Sequence, residues 1–180
     1  MSHFMSAPCC ALLLIDWQER LFPAMPERIR ERNLKSAGHL RWLAYALDIP
    51  VLFSEQYPRG LGSTLEALSP TNAIDKSAFS AMKSERFSDA VRDTKRTTMI
   101  LSGMETHICV AQTARDLRQA GFEVVLATDA VLSRRKLDWK MALQCMASDG
   151  CRLSTTEAVL FDWLEEAGTP LFKELSKRIR

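Results

Sequence analysis

Long apolar runs are missing from this chain. No segment approaches the roughly 18 continuous apolar residues that a membrane span needs. The apolar run over 11–15 stops at Asp16, and no basic stretch precedes it. It does not read as a signal peptide, and a cytoplasmic location is expected. A strong charge of one sign is also missing. The net charge is +2, with no basic stripe interleaved with aromatics. Neither a nucleic acid nor a membrane is expected as a partner. Cysteines number five, an odd count, and no CxxC occurs. That argues against a disulfide framework or a zinc ribbon, and for reduced thiols. Histidine is scarce: His3, His39 and His107 are scattered, with no HxH or HExxH pair. Neither a metal site nor a bound cofactor is expected. Internal repeats, linkers and low-complexity segments are absent too.

The chain that remains has 180 residues, 47% of them hydrophobic and 26% charged. That suits one domain over 1–180 with a sizeable core, residues 1–8 being a flexible tail. "CCALLLID" (9–16) is a continuous apolar run without polar alternation, as in a strand buried on both faces. The stretch 26–48 repeats apolar residues at helical spacing, with Pro26 in its first turn. "PVLFS" (50–54) is a second strand. The segment 72–82 is extended or irregular. A helix follows over 84–94, with Ser84 as its N-cap. "TTMILSG" (97–103) is a strand, and 106–121 its helix, closed by Gly121. A strand over 122–130, a helix over 136–150, a short strand near 151–156 and two terminal helices complete the chain.

Strand and helix alternate throughout. This predicts an α/β fold: a three-layer, doubly wound, Rossmann-like parallel sheet with helices on both faces. In such sheets ligands bind beyond the carboxyl ends of the strands. Three polar residues fall there. Asp16 ends the first strand, where an unpaired carboxylate would be poorly solvated. It is either a cap or a functional group. Lys76 lies among apolar residues in "AIDKSAFS". If it faces Asp16 and a thiol, it holds the carboxylate ionised and favours thiolate. Cys109 opens a helix, where unpaired N–H groups and the helix dipole favour a thiolate nucleophile. Helix physics alone leaves Cys109 open between nucleophile and small core residue. His107 is two residues away and projects from another face, so it is not expected to reach Cys109. Trp17, Phe22 and Phe79 flank these groups, either as core or as pocket walls.

"LLLIDWQERLF", "IDKSAFS" and "LSGMETHICVAQTARDL" resemble, in order and spacing, the motifs of the isochorismatase-like cysteine hydrolases. "FSEQYPRGLGSTL" and "STTEAVLFDWL" are most similar to the isochorismatase domain-containing subgroup. The resemblance spans nearly the whole chain. It implies a catalytic triad of Asp16, Lys76 and Cys109. It also implies a cis peptide at Met104–Glu105 and an oxyanion hole of the Glu105 and Cys109 backbone N–H groups. Trp17, Phe22, Tyr57 and Phe79 would shape a pocket for a small planar substrate. The metal-binding cluster of the related nicotinamidases is absent.

The resemblance implies a hydrolase that cleaves a small amide or related C–N or acyl substrate through a Cys109 thioester. Two alternatives stay open: hydrolysis of an isochorismate-type vinyl ether, and a non-catalytic binding or scaffold protein on the same fold. A homo-oligomer is implied as well. Phe161, Trp163 and Leu164 lie either at its interface or in the core.

Overall fold

The computed structural model describes residues 5–179. Its centre is one six-stranded sheet, all parallel. The strands are β1 (Cys10–Ile15), β2 (Val51–Gln56), β3 (Ile74–Lys76), β4 (Thr98–Met104), β5 (Glu123–Leu132) and β6 (Arg152–Ser154). Their spatial order is β3-β2-β1-β4-β5-β6. The chain winds outward from β1 in one direction, returns, and winds outward in the other. The point of reversal lies between β1 and β4.

The central strand shows why the fold forms. Every residue of β1 is buried. Leu12 and Leu14 join one core, with Phe53, Leu40, Leu43 and Trp163. Ala11, Leu13 and Ile15 join the other, with Phe87, Val91, Leu117 and Leu143. Successive side chains of a strand point to opposite faces, so an unbroken apolar run requires cover on both. The helices supply it. α1 (Glu27–Ala46), α6 (Thr156–Leu164) and α7 (Pro170–Arg178) lie on the first face. α3 (Glu85–Asp93), α4 (Ala111–Gln119) and α5 (Lys136–Ser148) lie on the second. α2 (Pro58–Leu61) is one turn in the loop after β2.

Local signals set the boundaries. The α6 N-cap Thr155 accepts a bond from the Ala158 N–H, and the α7 N-cap Thr169 accepts one from Phe172. Gly121, at φ +90°, follows the end of α4. Ser84 occupies the N-cap position of α3, but its side chain makes no capping bond. Gly103 has a stricter role. A Cβ there would lie 2.2 Å from the Ile15 carbonyl oxygen. Only glycine lets β4 pass so close to the end of β1.

Several expectations need adjustment. The irregular segment 72–82 contains an edge strand, β3, paired in register with β2. Three residues are too few to show a period in sequence. Residues 1–4 of the expected tail lie outside the described residues, as does His3, whereas Met5 and Ser6 are buried. Trp163 is core, and Leu164 packs against that core. Phe161 is partly exposed and meets Phe172 edge to face, ring centroids 6.1 Å apart. No helix among the described residues is long and apolar enough to cross a membrane.

Candidate active site

The sheet register assembles the site. Ile15 pairs with Ser54 on β2 and with Gly103 on β4. Gln56 pairs with Lys76 on β3. Asp16 therefore leaves the end of β1 between two neighbours that both carry polar groups to the same rim. Its backbone turns sharply there, at φ +52°.

Asp16 is fully buried. Ser54 donates to its Oδ1 at 2.6 Å, and Lys76 Nζ donates to its Oδ2 at 2.7 Å. Lys76 is 6% exposed. Its ammonium also donates to Gln56 Oε1 at 2.7 Å, the Phe79 carbonyl at 2.9 Å and the Ala78 carbonyl at 3.3 Å. A buried charge pair is tolerated when further hydrogen bonds complete both partners. Here Ser54 completes the anion, while Gln56 and two carbonyls complete the cation. Gln56 is fixed in turn: its Nε2 donates to the Ser77 carbonyl, and its N–H donates to Gln18 Oε1. Ser54, Gln18 and Gln56 were not singled out from sequence. The available signal was polarity at the end of an apolar strand.

Cys109 lies in a π-turn, Thr106–Val110, between β4 and α4. The Glu105 carbonyl accepts from Ile108 at 3.0 Å and from Val110 at 3.2 Å. π-turns inside helices are rare and concentrate at functional sites. The Met104–Glu105 peptide bond is cis. The Glu105 side chain is buried and turned away to Arg134, which donates to it from both its backbone N–H and Nε. His107 is engaged elsewhere, as expected. Its Nδ1 lies 3.0 Å from Ser133 Oγ, and its Nε2 lies 4.0 Å from Asp138.

The electrostatics of the thiol reverse an expectation. The helix start and Lys76 were expected to favour thiolate. Instead, burial pushes the Cys109 thiol up to about 12, and the neighbouring Asp16 carboxylate adds to the rise. Lys76 opposes the shift and is outweighed. Both groups also act on the thiol at short range, Asp16 raising and Lys76 lowering its pKa. A thiol raised this far rests protonated at neutral pH, with the Asp16 carboxylate as its neighbour.

The aromatic candidates separate. Tyr57 and Lys76 line one open cleft of about 500 Å³, along with Arg59, Asp75 and Lys83. Phe79 is about half exposed in the loop that caps Lys76. Trp17 is fully enclosed in the core and donates from Nε1 to Ser102 at 3.1 Å. The Phe22 ring is tilted 46° to that of Trp17, with centroids 6.3 Å apart. Trp17 is therefore no pocket wall: its ring fills the core beneath the Asp16 turn. Among the described residues, no group of three His, Cys, Asp or Glu side chains could hold a metal ion.

A doubly wound sheet with a buried carboxylate, ammonium and thiol at its switch point defines a class of α/β proteins rather than one protein. Comparison with known proteins narrows it. The Isochorismatase domain profile matches residues 10–158. The chain belongs to this isochorismatase-like hydrolase family. It is 36% identical to isochorismatase domain-containing protein 1 of Danio rerio, over 96% of this chain and 59% of that protein. It therefore spans well under two thirds of that relative's length. It is 37% identical to isochorismatase domain-containing protein 2 of Danio rerio, over 92% of this chain and 84% of that protein. Among solved structures, the MAR1 ribonuclease from Caenorhabditis elegans superposes with a TM-score of 0.88 at 33% identity. That match covers 97% of this chain and 91% of the other.

Proposed function

We propose that this chain hydrolyses a small amide or related acyl substrate through Cys109. One observation carries the reading: a buried, fully bonded Asp16–Lys76 pair stands beside a protonated thiol. A thiol ionising near 12 is inert until a base takes its proton during attack. Asp16, the carboxylate that acts on this thiol, is the base. Lys76, bonded to its Oδ2, fixes its direction.

In the forward step Cys109 Sγ attacks the carbonyl carbon, and its proton passes to Asp16. The backbone N–H groups of Glu105 and Cys109 hold the oxyanion. Such a donor is worth roughly 3 kcal/mol in the transition state. The C–N bond then breaks, and Asp16 returns the proton to the departing amine, leaving a thioester. Water, deprotonated by Asp16, attacks the thioester and releases the acid and the thiol. Tyr57 lines the cleft through which a small substrate enters, and Phe79 lies in the loop that caps Lys76.

The likeness to a protein described as a ribonuclease favours a second reading, cleavage of RNA. Arg59 and Lys83 at the cleft would then meet phosphate. A panel of small amides and an RNA substrate, each tested on wild type and Cys109→Ala, separates the two. Amide turnover lost in Cys109→Ala supports the thioester reading. RNA cleavage that survives Cys109→Ala and fades with added salt supports the other.

A further inference from the structure

Beyond β5, the carboxyl edge of the sheet holds a second cavity of about 650 Å³, walled by the first turns of α1 and α5. It contains none of Asp16, Lys76 and Cys109, and it shares no lining residue with the cleft at Lys76. We infer that this cavity binds a small organic anion: a carboxylate on a compact apolar or aromatic body that also carries a hydroxyl or amine donor.

Three features define that ligand. The first is charge. Arg28 and Arg32 stand one turn apart on α1, and Lys136 opens α5 opposite them. All three are exposed, and none forms an ion pair with a described residue. The one acidic lining residue, Asp129, is already occupied. Its Oδ1 accepts from the Thr156 N–H at 2.7 Å and the Thr156 hydroxyl at 2.9 Å, and its Oδ2 accepts from Ser36. The lining therefore sets three basic groups against one carboxylate whose oxygens are already engaged, a net positive setting that favours a carboxylate ligand.

The second feature is an apolar wall of Ile29 and Trp139. The indole offers a flat face against which a ring or short alkyl body packs. The third is an orphan acceptor. Asn33 forms part of the wall and is 4% exposed. Its Nδ2 donates to the Val131 carbonyl at 3.1 Å, but its Oδ1 is buried without a partner. Leaving such an atom unsatisfied is costly, and nearly all buried side-chain polar atoms find partners. A donor on the ligand answers it. A plain carboxylate has no such donor, so a second functional group is required.

Titration calorimetry of the full chain with three related probes tests the site: para-hydroxyphenylacetate, phenylacetate and tyramine. The first carries the acid and the donor, the second the acid alone, the third the donor on a cation. Para-hydroxyphenylacetate is expected to bind, phenylacetate several-fold more weakly, and tyramine not at all. Exchanging the two exposed arginines, in Arg28→Glu/Arg32→Glu, should weaken para-hydroxyphenylacetate at least about tenfold without touching the core. Asn33→Leu should erase the preference for the hydroxyl. Ser133 lines this cavity and also touches His107, so the titration is repeated on Cys109→Ala, where binding should persist. The inference is overturned if tyramine binds as well as the acids, or if no acid binds at about 10 mM. It is equally overturned if the double arginine exchange leaves affinity unchanged, or if Cys109→Ala abolishes binding. The arginine variant decides the matter even if Asn33→Leu fails to fold.

Discussion

Replacing Asp16 by Asn should make the Cys109 thiol more reactive toward an alkylating agent and at the same time abolish turnover. An activated-thiolate site predicts the opposite for reactivity. The magnitude follows from the structure. A thiol ionising near 12 is four units from its midpoint at pH 8, so about one molecule in ten thousand is thiolate. A freely exposed thiol ionising near 8.5 is about one quarter thiolate at that pH. The more basic thiolate is the better nucleophile, with a Brønsted slope of about 0.4–0.5, which recovers some 30-fold. The net deficit is on the order of a hundredfold, before any loss of access through burial. Iodoacetamide labelling, followed peptide by peptide by mass spectrometry, uses the exposed Cys145 as internal reference. Wild-type Cys109 should lag Cys145 by about that factor, its rate climbing with pH and reaching no plateau below pH 10. Asp16 raises the thiol through both its charge and its hydrogen bond. Asp16→Asn removes the charge, so labelling should speed up about tenfold or more at pH 8. Wild-type Cys109 labelling as fast as Cys145, or Asp16→Asn leaving the rate unchanged, would refute the reasoning.

Three further outcomes follow from the same geometry. Lys76→Met strands a buried carboxylate and should cost about 3–5 kcal/mol, lowering Tm by about 10 °C. Asp16→Leu/Lys76→Met should recover most of that loss in thermal melts; a double variant as unstable as the single would contradict the account of the pair. The thiols of Cys10 and Cys151 are pushed up to about 11, and that of Cys109 to about 12, chiefly by burial. A raised acid contributes stability below its unfolded pKa and loses it above. Urea unfolding should therefore show stability falling from about pH 9 upward; a flat profile to about pH 11 would sink this. Gly103→Ala drives a Cβ into the Ile15 carbonyl and should destabilise by at least about 3 kcal/mol, measured by urea unfolding. A loss below about 1 kcal/mol would show that β4 can retreat.

The alternation of apolar runs and helical periods carried the sheet, its parallel sense and its two helical layers, because burial on both faces leaves no room for polar alternation. Asp16 was legible as a polar break at the end of an unbroken apolar run, and Cys109 as a thiol at the start of the helix that follows the strand over 97–103. Lys76 stood out only beside them. Its strand, β3, is three residues long and owes its existence to pairing with β2, which no local pattern reveals. Ser54 and Gln56 become partners of the ion pair only through that register. The π-turn around Cys109 is likewise a tertiary result. The thiol shows most clearly where local reasoning stops. A helix start is visible in sequence and argues for thiolate. Burial and a neighbouring carboxylate are not visible, and they outweigh it. Trp17 fails in the same way: adjacency to Asp16 in sequence put it near the pocket, but strand and turn geometry send its ring into the core.

The central claim is a covalent bond between substrate and Cys109. Acid-quenched intact-protein mass spectrometry during turnover of a hydrolysed amide tests it most directly. An added mass equal to the acyl group is expected, confined to the peptide bearing Cys109 and absent in inactive Cys109→Ala. Turnover by Cys109→Ala at the wild-type rate, with no adduct in either protein, would contradict it.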